Sequence, residues 1–196
     1  MIALTTKLSW YVARSSGMVA WALVTASVLW GLMMSSRLIR KRGVPAWLLA
    51  LHRYLGTLSI VFVVVHLLAL VADNFVYFGW KELFVPMATK WRPGPTAWGI
   101  AAFYLLVAIQ VTSWLMRRLP RWVWHSIHLS SFVLFAAGTV HGFQAGADRS
   151  NRLVQWSALV GTVLIVTLLV FRLLHRSPSQ RPSQRRVRRR ARSVPA

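Results

Sequence analysis

Long apolar blocks alternate with short polar segments along this chain. Each block approaches the roughly 20 residues that an α-helix needs to cross the hydrocarbon core of a bilayer. Helical spans are therefore expected at Trp10–Met34, Trp47–Ala72, Thr96–Met116, Trp122–Phe143 and Leu153–Leu174. The pattern predicts an all-α integral membrane bundle of five transmembrane helices.

The first block has an alternative interpretation as a secretory signal peptide. Its apolar run is longer than the typical apolar region of such a peptide, and no clear small-residue cleavage site follows it. We therefore expect the first block to be a membrane span.

Charge is distributed unevenly between the predicted loops. The chain has 24 basic and three acidic residues, and loops rich in Lys and Arg stay cytoplasmic. This rule predicts an outside N-terminus and a cytoplasmic C-terminus. The basic residues concentrate in the first loop (Arg37, Arg40, Lys41 and Arg42), in the third (Arg117, Arg118 and Arg121) and after Arg172.

The last residues differ in composition from the rest of the chain. We expect a membrane domain over residues 1–175 and a disordered basic tail over 176–196, because the tail has too few apolar residues to form a core. The tail is interpreted as a topology anchor that touches anionic lipids, or as a docking site for an acidic partner. It carries no motif for specific nucleic-acid binding.

Four histidines fall inside the predicted spans. His52 and His66 lie fourteen residues apart on the second helix, and His128 and His141 lie thirteen apart on the fourth. These spacings correspond to roughly 21 and 20 Å along a helix axis. Both helices run from inside to outside, so His52 matches His128 in depth and His66 matches His141. Two such pairs are what two stacked haems with two axial imidazoles each require.

Other interpretations apply to single histidines. A lone histidine near a helix end is usually interfacial or hydrogen-bonded, which is our interpretation of His125 and His175. His52 and His66 fall roughly 40° apart on a helical wheel, whereas His128 and His141 fall roughly 140° apart. Alignment of the second pair requires a bend near Gly138 or a local change of helical pitch.

Several kinds of chemistry are excluded or disfavoured. The chain has no cysteine, which excludes iron–sulfur clusters and covalently attached haem. It has no carboxylate deep within a span and no glycine-rich nucleotide motif. The competing hypothesis is a haem-free membrane scaffold or a metal transporter with a histidine-lined path, and the missing carboxylates count against transport.

The histidine segments resemble the ferric-reductase-like transmembrane domain shared by ferric reductases, NADPH oxidases and the haem subunit of the bacterial methionine sulfoxide reductase system. The resemblance rests on "LHRYLG", "VVVHLLAL" and "WHSIHLSSFVLFAAGTVHG". It favours His128 over His125 as ligand and implies a compact bacterial member in the plasma membrane. Ferric reductases and NADPH oxidases carry a flavin and nicotinamide module after the last helix, where this chain has only its basic tail.

We therefore expect a membrane b-type cytochrome with two haem b (heme b) groups, acting as the electron-transfer subunit of an oxidoreductase. A separate cytoplasmic flavoprotein or quinol would supply electrons. His52 and His128 would hold the inner haem, and His66 and His141 the outer one. Arg53 and Arg14 are interpreted either as partners of haem propionates, inner and outer respectively, or as side chains that snorkel to the interface.

Overall fold

The computed structural model describes residues 2–35, 45–73 and 78–174. In these ranges all regular structure is helical, with no strand. The first loop, the tail and His175 lie outside the described residues. The helices are α1 (Ile2–Ser35), α2 (Ala46–Ala72), α3 (Trp80–Phe84), α4 (Pro93–Trp114), α5 (Arg121–Leu129), α6 (Ser131–Ala145) and α7 (Arg152–Leu174).

Five helical segments in the described ranges are long and apolar enough to cross a membrane. They are Leu8–Ser35, Ala46–Ala72, Pro93–Trp114, Arg121–Ala145 and Arg152–Leu174. The predicted all-α bundle of five spans is therefore confirmed, and the protein is a multi-pass membrane protein. The orientation of the termini stays a prediction.

Prolines mark the starts of three helices. Pro45 and Pro120 immediately precede α2 and α5, and Pro93 is the first residue of α4. Proline suits these positions because its fixed φ fits the first turn, where its missing N–H leaves no helical bond unmade.

A side-chain hydrogen bond fixes the start of α4 against the end of α6. Arg92 adopts the left-handed backbone region, with φ 44° and ψ 62°, which is uncommon for a residue other than glycine. Its Nη1 donates to the carbonyl oxygen of Gln144 at 2.6 Å. A cation near the last carbonyls of a helix is favourable, so this contact holds α4 beside α6.

The spans pack mainly as two pairs, α1 with α2 and α4 with α6, and α7 packs on α1. Many of the buried residues have small side chains, including Ala13, Ala20, Ala102, Ala137 and Ala158. Small side chains let helices approach closely in a membrane, where packing drives helix association.

Large apolar side chains cover much of the outer surface of the bundle. On α7, for example, Leu153, Val163 and Val170 are all exposed. Such a surface is expected where lipid, not water, surrounds the helices.

The fourth span is interrupted at Ser130, between α5 and α6. The Ser130 N–H donates to the carbonyl of Ile127 at 3.1 Å, which is the i to i+3 bond of a 3₁₀ turn. The change of pitch thus lies at Ser130, and α6 continues unbroken through Gly138. Each residue of a 3₁₀ turn advances by about 120° around the helix axis, compared with about 100° in an α-helix. Three such residues reduce the wheel angle between His128 and His141 from about 140° to about 80°.

Candidate functional site

The four span histidines lie in two groups. The ring centroids of His52 and His128 are 5.9 Å apart, with the ring planes at 72°. His66 and His141 line one cavity. Because His52 and His66 are fourteen residues apart on one helix, the groups are separated by about 21 Å along α2.

Backbone carbonyls orient the rings of His66 and His141. Nδ1 of His66 lies 2.7 Å from the carbonyl oxygen of Ala13 on α1, and Nδ1 of His141 lies 2.8 Å from that of Pro95 on α4. A carbonyl oxygen can only accept, so Nδ1 carries the proton in both rings. In the neutral imidazole Nε2 then keeps its lone pair, which is the form that binds a metal.

A glycine lies one helical turn after each of these carbonyls, and the missing side chain makes room for the ring. A Cβ added to Gly17 would lie 3.0 Å from Nδ1 of His66, and one added to Gly99 would lie 2.6 Å from Nδ1 of His141. Residues i and i+4 share a helix face, so the carbonyl acceptor lies next to the space that the glycine leaves open. We call each acceptor with its glycine a glycine seat: Ala13 with Gly17, and Pro95 with Gly99.

His52 occupies a third glycine seat, formed by Ser27 and Gly31 of α1. Nδ1 of His52 is 3.3 Å from Oγ of Ser27, and a Cβ on Gly31 would lie 3.3 Å from Cε1 of the ring. A hydroxyl can donate or accept, so this longer contact is compatible with either tautomer of His52.

His128 is held differently, by stacking on Trp124 one turn earlier in α5. The ring centroids are 5.1 Å apart and the planes are inclined by 24°. Nδ1 of His128 and Nε1 of Trp124 are buried and have no hydrogen-bond partner among the described residues. Buried polar atoms without partners are costly. Packing alone therefore does not account for the presence of Trp124 and His128 at these positions.

The cavity at His66 and His141 has a volume of about 280 Å³ and a largely apolar wall. This is near the lower end of the roughly 300–1,000 Å³ typical of small-molecule sites. Gly138 and Gly142 of α6 line it, and a Cβ on either would meet no heavy atom within 4 Å. These glycines leave open space beside His141.

The donor set suits a metal that brings its own equatorial ligands. In the described residues no three His, Cys, Asp or Glu side chains converge, and a bare metal ion usually needs four or more donors. Two imidazoles bonded to one metal need roughly 6 Å between ring centroids, at about 2 Å per metal–nitrogen bond. The 5.9 Å between His52 and His128 fits this requirement. A haem brings four nitrogen donors of its own and would need only these two from the chain.

Arg14 lies at the cavity wall, in an ion pair with Asp148 of the loop between α6 and α7. Its Nε donates to Oδ2 of Asp148 at 3.0 Å, and its Nη2 donates to Oδ1. The guanidinium also lies 5.7 Å from the ring centroid of Trp10. Neither interpretation of Arg14 from the sequence included this ion pair, which connects α1 to the α6–α7 loop.

The remaining predicted residues lie at the periphery. Arg53 is exposed and its charge acts on the neighbouring His52. His125 is exposed, with its ring centroid 6.1 Å from that of Trp124.

The sequence pattern was not used to predict the glycine seats, although the spacing of two glycines indicates them. Gly17 and Gly31 lie fourteen residues apart on α1, which equals the spacing of His66 and His52 on α2. Two antiparallel helices with matching spacings can bring both glycines opposite both histidines in one register.

Comparison with known proteins identifies the family. Residues 16–139 match the model of the ferric reductase like transmembrane component. The chain belongs to this family and has a role in membrane electron transfer. Members of the family generally bind haem and pair with reductase partners. The match includes His52, His66 and His128, and ends two residues before His141. No curated protein and no solved structure is significantly similar to the chain.

Alanine at Gly99 tests the close approach of His141. The added Cβ would lie 2.6 Å from the ring, so the ring must shift, and overpacking of this kind costs about 1–3 kcal/mol. Gly99→Ala is expected to lower the unfolding temperature in detergent. Gly94→Ala on the same helix is the control, because nothing lies within 4 Å of its Cβ. Equal decreases in unfolding temperature in Gly99→Ala and Gly94→Ala would contradict the close approach of His141 to Gly99.

A double-mutant cycle tests the Arg14–Asp148 ion pair. Side-chain exposures of 31% and 21% place the pair partly in water, so a coupling energy of about 1 kcal/mol is expected. Arg14→Gln and Asp148→Asn should each lower stability in thermal unfolding, and the double variant should lose little more than either one. Additive losses would show that the two side chains act independently.

Proposed function

We propose that this protein is a b-type cytochrome that carries electrons across the membrane between two haems. His52 and His128 would hold the inner haem and His66 and His141 the outer one. Electrons would enter at the cytoplasmic side from a separate flavoprotein or from quinol, and leave at the outer face. The positive-inside rule supports this orientation, which puts the N-terminus outside.

The contacts of the His66 and His141 Nδ1 atoms with backbone carbonyls are the observation that carries the proposal. Each ring donates its Nδ1 proton to a backbone carbonyl at 2.7 or 2.8 Å, which leaves two Nε2 lone pairs at one cavity. A hydrogen bond on the far nitrogen is the usual companion of a metal-bound imidazole, because it fixes the ring and raises its basicity.

The residues of the chain orient and shield the site. Bound haem would supply a one-electron iron couple. Two histidines per iron would leave no open position, so such a site would favour outer-sphere electron transfer over substrate binding at the metal. Mainly apolar side chains line the cavity at His66 and His141, and such a lining would disfavour water beside a bound haem.

The electron donor is proposed to be a separate molecule. The 196 residues contain no glycine-rich nucleotide-binding motif. The basic segments predicted to be cytoplasmic would attract an acidic protein surface or anionic lipid.

The spectrum of the purified protein tests the proposal. Haem-replete expression should give b-type Soret and α bands, and a pyridine haemochrome assay should count two haems per chain. A protein without these bands would be the haem-free scaffold or transporter. A single haem would remove one of the two ligand pairs.

Double variants test the pairing. Loss of one ligand or of both ligands from the same pair should remove one haem, so His66→Ala and His66→Ala/His141→Ala should each retain about one. His66→Ala/His128→Ala, which affects both pairs, should retain none. His125→Ala is the control and should keep two, since His125 is exposed. Retention of one haem in the cross-pair variant would overturn the assignment.

A further inference from the structure

The chain between α2 and α4 folds back against the bundle. We call residues 78–92, which include α3, the α2–α4 segment. The rings of Phe78 and Trp91 lie 6.1 Å apart between centroids, and both line the apolar cavity of the bundle together with Leu83. Phe78 and Leu83 are buried. One side of the segment therefore packs on the spans.

Contacts with α4 place this segment beside the span and not above its end. The Tyr104 hydroxyl donates to the carbonyl oxygen of Phe84 at 2.7 Å, and the ring centroids of Phe84 and Phe103 are 5.8 Å apart. Tyr104 lies eleven residues after Pro93, the first residue of α4, or about 16 Å along the axis. Helical side chains lean toward the N-terminus, so Phe84 lies about two turns, or roughly 11 Å, from the start of α4.

The other side of the segment is apolar and exposed. We call its four large side chains the apolar patch; their exposed fractions are 61% for Trp80, 36% for Phe84, 45% for Val85 and 64% for Met87. The rings of Trp80 and Phe84 are stacked, with centroids 6.4 Å apart and planes inclined by 8°. A contiguous exposed apolar surface of this kind marks a site of contact with another apolar surface.

A tight turn follows α3 and carries part of the apolar patch. The Ala88 N–H donates to the carbonyl oxygen of Val85 at 3.3 Å, with Pro86 and Met87 at the two central positions. Met87 has a φ of 65°, and a positive φ after proline is typical of a type II turn, where glycine or asparagine is usual. Methionine here adds an exposed apolar side chain at a place where a turn in water would have a small or polar residue.

The backbone at the end of α3 is hydrogen-bonded within the protein. The Val85 N–H donates to the carbonyl oxygen of Lys81 at 2.8 Å, and the carbonyl oxygen of Phe84 accepts from Tyr104. Backbone at membrane depth requires internal partners, because lipid offers none. Tyr104 thus satisfies a carbonyl that the short helix itself would leave open.

Lipid is the partner that fits the apolar patch. The patch is continuous with the lipid-facing surface of α4, since Tyr104 is itself exposed and contacts Phe84. Lys81 and Lys90 of the same segment are exposed, and long basic side chains can extend to the headgroups while apolar neighbours stay below them. Amphipathic segments at the membrane surface insert their apolar side by roughly 5–10 Å, which agrees with the depth of Phe84.

We propose that the α2–α4 segment is inserted in the membrane, with the apolar patch in contact with the acyl chains of the leaflet in which α4 begins. In the predicted orientation this is the outer leaflet. The opposite side of the segment covers the cavity, so the segment separates the cavity from lipid. The proposal goes beyond electron transfer and does not depend on the proposed function.

Spin labels test the contact with lipid. The chain has no cysteine, so each introduced thiol is the only site for a nitroxide label. Val85→Cys and Met87→Cys are labelled and reconstituted in vesicles of phosphatidylcholine and phosphatidylglycerol. Oxygen concentrates among acyl chains and a nickel chelate stays in water. Power saturation in electron paramagnetic resonance should therefore show that oxygen collides with both labels more than nickel does.

Two further sites on the same chain provide the references. Lys90→Cys replaces an exposed charged side chain of the segment and should give a label that collides mainly with nickel. Val163→Cys replaces an exposed residue at the middle of α7 and should give the oxygen-dominated ratio of a lipid-facing site. The ratio of oxygen to nickel collisions at Val85 and Met87 should be well above that at Lys90 and close to that at Val163.

Each other outcome overturns the proposal. A nickel-dominated ratio at Val85 or Met87 would place the apolar patch in water. Low collision rates with both reagents would show that protein, such as a second copy of the chain, covers the patch in place of lipid. The labels report without bound haem, so either result would leave the proposed function standing.

Discussion

The hydrogen bond from an imidazole to a backbone carbonyl, one turn before a glycine, is the constraint from which the rest of the site follows. Inside a bilayer an unpaired polar group is costly, so an acceptor for a buried Nδ1 proton is stabilising. A helix carbonyl is more accessible to a neighbouring helix where a side chain is missing one turn later. The glycine supplies that access at Gly17 and Gly99, and the bond then directs the opposite nitrogen of the ring.

The same constraint sets the register of α1 against α2. Ala13 and Ser27 lie fourteen residues apart, and their histidine partners on α2 are also fourteen apart. A shift of one residue along α1 would rotate its face by about 100° and remove both contacts together. The first helix contains no histidine, but its contacts with His66 and His52 orient one histidine in each pair.

Hydrophobic patterning was sufficient to predict the five spans, because a helix must be long and apolar to cross a bilayer. It could not predict the break at Ser130, since serine in an apolar run gives no helix-stop signal comparable to proline. The partner of Arg14 was equally hidden, as Asp148 is 134 residues away in sequence. The glycine seats were readable only in part, because glycine is common in membrane helices for reasons of packing alone.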